Sequence, residues 1–209
     1  MKAFQRSAVF EGRPIWAHDE AAFFNMVVQG AILKAATVPA DAAAPGQVPS
    51  GSVVGRVPGA KKFAYIAPTA TALTYTNPTT LTVAAPAGAT VLTVADVDGY
   101  AAGQAITVNG EARTIAAGGV DVMASTITIT TGLTGAAPLG AAVAYTTAVA
   151  FTEVYLMLTS IVNVNENAEF TQYRHQRAVY QNFLPNWATM STFLKGELTA
   201  RYLMWEARA

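Results

Sequence analysis

The chain has 209 residues, 13 basic and 13 acidic side chains, a charged fraction of 12% and a hydrophobic fraction of 52%. So sparse and balanced a charge argues against a surface that neutralises many phosphates, hence against nucleic acid as ligand, and equally against a polybasic membrane-binding face. With no cysteine there is neither a disulfide frame nor a thiolate metal site, and no apolar run reaches the roughly 20 residues that span a bilayer.

Residues 1–47 mix aromatics with small residues and few charges. Phe4, Phe10, Trp16, Phe23 and Phe24 stand out, and the run from Ala21 to Leu33 reads as a strand or a short helix. The Ala/Pro/Asp-rich stretch from Pro39 to Pro49 reads as a linker or extended arm. Exposed aromatics on an arm need a partner to bury them, the alternative being that this zone folds back on its own core. The opening Met1-Lys2-Ala3-Phe4-Gln5-Arg6 lacks a following apolar stretch, so no secretory signal is expected.

From Pro49 to Tyr75, Ser52–Val57 and Phe63–Ile66 are predicted strands joined by Pro58-Gly59, a turn dipeptide. Residues 76–147 are almost entirely Ala, Thr, Val and Gly, with only Asp96, Asp98, Glu111, Arg113 and Asp121 charged. Strands are predicted at Leu81–Val83, Val91–Val94, Ala105–Val108, Ala112–Ile115, Ile127–Ile129 and Ala142–Tyr145. Asn109-Gly110 is a strong hairpin signal between two of them. Thr and Val lose side-chain freedom in helices and pack well on sheets, so this block reads as a small antiparallel sandwich or barrel.

The last zone begins with an apolar strand, Val154-Tyr155-Leu156-Met157-Leu158. A polar connection, Asn163 to Glu169, leads to Tyr173-Arg174-His175-Gln176-Arg177-Ala178-Val179, then Asn182, Leu184 and Pro185. Met190, Phe193, Leu194, Leu198, Tyr202 and Trp205 then recur at helical spacing, with Thr189 as the expected cap. Gly196 interrupts that helix at about 1 kcal/mol relative to Ala, and a close neighbour would explain it.

The order of these last segments, together with Ser50–Val57, resembles the lambda-type head decoration proteins, which cement the capsids of tailed phages. The resemblance covers 50–75 and 149–205; Gln176 and Arg177 stand where that family often has a glycine. It implies a mainly β fold with a C-terminal α-helix: an arm at 1–47, a decoration-type body at 48–75 and 148–209, and an inserted β-domain at 76–147. It also implies a homotrimer on the outer surface of a virion capsid, made in the host bacterial cytoplasm, with the major capsid protein as partner and no cofactor. An arm of this kind adds a strand to a capsid sheet edge, with alternate side chains filling pockets. Phe4, Val9, Phe10, Pro14, Ile15 and Trp16 would be the capsid anchors. Tyr173, Arg174, His175, Leu184, Phe193, Leu198 and Trp205 would pack the body and the oligomer.

No residue grouping points to catalysis. His18 beside Asp19 and Glu20 lacks further ligands at metal spacing. His175, between Arg174 and Arg177, suits a charged surface better than a base. Asp96 and Asp98, alternating on one strand edge just ahead of Gly99, read as turn formers rather than calcium ligands. The Gly-rich loops lack the Lys of a phosphate loop, and the serines have no nucleophile-elbow context. Two other functions stay open: a receptor- or carbohydrate-binding module using 76–147, for which Tyr100 and Tyr145 are a small aromatic complement, and a tail or tube subunit.

Overall fold

A computed structural model describes residues 27–34, 37–38, 48–157, 168–173, 178–181 and 184–205. Strands in chain order are β1 (Val27–Leu33), β2 (Val53–Arg56), β3 (Lys62–Tyr65), β4 (Thr74–Tyr75), β5 (Thr79–Thr80), β6 (Val91–Thr93), β7 (Ala105–Val108) and β8 (Glu111–Asp121). They continue with β9 (Thr126–Ile129), β10 (Ala142–Tyr145), β11 (Val149–Ala150), β12 (Glu153–Leu156), β13 (Ala168–Tyr173), β14 (Ala178–Tyr180) and β15 (Leu203–Trp205). One helix, α1 (Thr192–Arg201), precedes β15. The described part is thus mainly β with a C-terminal helix. It divides into two compact units, one within Met1–Gly55, Phe63–Leu73 and Glu153–Ala209, the other comprising Arg56–Lys62 and Thr74–Thr152.

The second unit is built around a six-stranded sheet in the order β5-β10-β7-β8-β9-β6, its ladders antiparallel. Period-two alternation buries Ile106 and Val108 on β7, Ile127 and Ile129 on β9, and Val143 and Tyr145 on β10. The intervening Thr and Ala face outward. The expected hairpin at Asn109-Gly110 forms as a two-residue loop with Val108 opposite Glu111. Both loop residues have positive φ, 47° and 85°, as a type I′ turn requires. β8 runs six residues past the expected Ala112–Ile115 strand end, through a bulge in which five steps on β8 face two on β9. Gly119 is obligatory there: a Cβ would stand 2.6 Å from the Thr128 carbonyl oxygen.

The sheet then closes on itself. Thr82 donates its N–H to the Thr93 carbonyl and Ala95 donates to that of Thr80, both at 2.9 Å, while Leu81 bridges Val94. Thr79–Thr82 therefore joins the β10 side of the sheet to the β6 side, and a barrel results with no long open edge. Of the two architectures left open for this block, the chain adopts the barrel-like one. The expected strand Leu81–Val83 is this closing segment rather than a regular strand.

The first unit has a five-stranded sheet in the order β12-β2-β3-β1-β13 and a separate parallel pair, β14 with β15. Its core gathers Ala31, Leu33, Val48, Val54, Phe63 and Met157, with Tyr155 tilted against Phe63 at 6.0 Å between ring centres. Three expectations change here. Val27–Leu33, assigned to the N-terminal arm, is the strand between β3 and β13, so the arm boundary at 47 is wrong for these residues. Ala168 and Glu169, read as the end of a polar connection, begin β13. The loop Arg56–Lys62, assigned to the body, belongs to the barrel unit, where Val57 joins the core.

Candidate functional site

The most ordered polar chemistry lies at one end of the barrel. Tyr100 donates its hydroxyl to the carbonyls of Asn77 and Val143, and Tyr145 donates to that of Gly99. The Asn77 amide donates to the Asp98 carbonyl at 2.8 Å and to the Tyr145 hydroxyl at 3.1 Å. The Tyr100 and Tyr145 rings meet edge to face at 5.3 Å. Gly99, at φ 84°, sits so close that a Cβ would lie 3.0 Å from both Asn77 and Tyr145. Burial raises the pKa of Tyr100 and of Tyr145 above the ordinary tyrosine value. These phenols are donors in a satisfied network and remain protonated at neutral pH.

Next to it, the carboxylate of Asp98 accepts the backbone N–H groups of Lys61 and Lys62, each at 2.8 Å. Asp96 accepts from the Lys62 ammonium at 3.0 Å and from the Asp98 N–H at 3.0 Å. The two aspartates hold the 56–62 loop on the barrel with their oxygens already engaged. Sequence reading found them as turn formers but missed the lysine N–H groups, which lie more than thirty positions away. Among the described residues, no three His, Cys, Asp or Glu side chains group as metal ligands would.

Glu111 and Arg113 lie on the Ile115 face of β8 and reach the loop ahead of β10. Glu111 accepts the N–H groups of Thr134 and Gly135 at 2.8 Å, and Arg113 pairs with Glu111 and donates to the Thr134 hydroxyl at 2.9 Å. The Thr134 N–H, then the Gly135 N–H and the guanidinium, hold the Glu111 carboxyl below its usual range. That loop pairs in turn with 85–89 through Ala137–Ala85 and Leu133–Ala89 bonds.

Of the expected anchors, Phe4, Val9, Phe10, Pro14, Ile15 and Trp16 lie outside the described residues, as do Arg174, His175 and His18. Tyr173 is at the end of β13, opposite Val27. Leu184 and Leu198 are buried, at 4% and 0% exposure, as body packing requires. Phe193 is 38% exposed on α1, so it is not a fully buried body residue as Leu198 is. Trp205 is not on the helix. Tyr202 has extended backbone (φ −127°, ψ 150°), its N–H closes on Leu198, and Trp205 pairs with Tyr180 in β15. The N-cap is Ser191, not Thr189: its hydroxyl accepts the Leu194 N–H and donates to the Ala70 carbonyl. No neighbour among the described residues explains Gly196, since a Cβ there would meet none of them within 4 Å.

Much of the exposed surface is uncharged. Thr192, Phe193, Gly196, Thr199 and Ala200 form the exposed side of α1. On the barrel, Val83, Val91, Leu139, Val122 and Met123 are exposed large apolar residues. The barrel's aromatics, by contrast, turn inward: Tyr100 and Tyr145 are buried, and Tyr75 stacks on Phe151 at 5.5 Å. No family model, no curated protein and no solved structure matches this chain.

Proposed function

We propose that the protein is a capsid decoration, or cement, protein of the lambda-type class, acting as a homotrimer on the outer surface of a phage head. In this reading it stabilises the lattice of the major capsid protein, and its N-terminal segment adds as a strand to a capsid sheet edge. The supporting observation is the chain's architecture. A five-stranded body sheet assembled from distant segments is interrupted by a closed barrel whose exposed residues are mostly Thr, Ala and Gly. Such a module resists edge-to-edge aggregation at the high local density of a repeating shell. Lattice repetition would multiply modest contacts into stable attachment.

Because β1 begins at Val27, an arm that leaves the sheet intact is confined to residues 1–26. Co-sedimentation with capsid shells of the parent particle stripped of this protein tests the reading. The full chain is expected to pellet with shells and raise their melting temperature, and a chain lacking 1–26 to stay in the supernatant. Tight binding by the shortened chain would sink the arm mechanism; no binding by the full chain would sink the capsid reading. The carbohydrate-binding alternative loses support, since stacking on a sugar needs an exposed aromatic face and Tyr100 and Tyr145 are committed to the core.

A further inference from the structure

The β8–β9 hairpin ends in Val122-Met123-Ala124-Ser125, closed by the pair Asp121–Thr126. Its backbone is fixed without help from the tip side chains. The Asp121 carboxylate accepts the N–H groups of Met123 and Ala124 at 2.8 and 3.0 Å, Ser125 takes a left-handed φ of 52°, and its carbonyl accepts the Val94 N–H. Met123 is 96% exposed and Val122 is 68% exposed. Met157 and Met190 are at 0% and 5%, within the packed interior of the other unit.

We propose that Met123 is a site of selective two-electron oxidation by hydroperoxides, converting an apolar hairpin tip into a polar one while the fold stays intact. A sulfur lone pair of Met123 attacks one peroxide oxygen. The S–O bond forms as the O–O bond breaks, and the departing oxygen takes up a proton and leaves as water or an alcohol. Sulfur loses two electrons and the peroxide gains them, giving methionine sulfoxide, which reductases of the methionine sulfoxide class reverse. Access decides the rate, because the peroxide must reach the sulfur along the open face that only an exposed thioether offers. Oxidation leaves stability unchanged because the tip is held by the Asp121 bonds and the β8–β9 ladder, none of which involves the thioether.

Limited hydrogen peroxide treatment of the folded full chain, followed by peptide mass mapping, tests this. Sulfoxide at Met123 is expected to accumulate at least about tenfold faster than at Met157 or Met190. Equal rates at the three positions, or a slower rate at Met123, would overturn the proposal. The oxidised protein is expected to keep its melting temperature. A drop that peroxide-treated Met123→Leu protein does not show would mean the side chain is packed, and would overturn it as well.

Discussion

In the barrel, two of the five sheet ladders join strands close in sequence: β7 meets β8 across two residues, and β8 meets β9 across four. In the body sheet, β1 meets β13 with Val27 opposite Tyr173, and β2 pairs with β12 across the whole length of the barrel segment. The first arrangement is nucleated by turn chemistry, whereas the second must close long loops before its contacts stabilise anything. The barrel hides a polar network of Tyr and Asn inside an apolar shell. The body relies on aliphatic packing and on single side chains that finish the backbone, such as the Tyr202 hydroxyl that accepts the Leu156 N–H at 3.0 Å.

The largest effect should come from the body's helix. Leu198→Ala removes a fully buried side chain and should cost about 2–5 kcal/mol. None of the chain's tryptophans, Trp16, Trp187 and Trp205, falls in the barrel segments, so their fluorescence in urea does not report that unit. Amide exchange over β7–β9 should meanwhile stay unchanged; a parallel loss of protection there would break the distinction between the units. On the barrel side, Tyr100→Phe leaves the Asn77 and Val143 carbonyls without their phenol donor and should cost about 1–2 kcal/mol. Wild-type exchange rates in β7–β10 of that variant would remove the network from the account.

The Glu111 contact makes a pH-dependent test. Its folded pKa lies below the unfolded value, so the stability it contributes is present above the ordinary glutamate value of 4.5 and fades as pH falls through the lower folded value. Denaturation midpoints measured by barrel amide exchange should drop across that acid window, and Glu111→Gln should flatten the slope. Gly196→Ala should stabilise the body by about 0.5–1 kcal/mol, because the position is helical and open. A decrease in the tryptophan-detected midpoint would instead reveal a partner packed on that face. Smallest of all, Tyr75→Phe should be neutral or slightly stabilising, since the Tyr75 hydroxyl is buried without a hydrogen-bond partner. A clear loss of stability would show that the hydroxyl is held by a group from outside the described residues.

Local signals in the sequence were readable where the physics is local. Asn109-Gly110 announces its turn because both residues tolerate positive φ, and alternation of Thr with Ile and Val marks β7, β9 and β10. The helix was legible in its interior, at Leu194 and Leu198, but not at its ends. Thr189 and Ser191 are equally good caps in isolation, and the Pro68 and Ala70 carbonyls select Ser191. Phe193 fits the apolar stripe by spacing, yet it is left partly exposed. The Asp98 grip on Lys61 and Lys62 was invisible for the same reason: its partners are far along the chain.

The sequence by itself determined a charge-poor, β-rich chain with a Thr/Ala/Val block and one C-terminal helix, because composition and period act on each residue separately. Only the tertiary structure decided that Val27–Leu33 is sheet rather than arm, that Thr79–Thr82 seals the barrel, and that the chain leaves the helix at Tyr202 to pair with β14. Each of those outcomes turns on which distant backbone group is available to accept or donate a hydrogen bond, and a linear pattern does not carry that information.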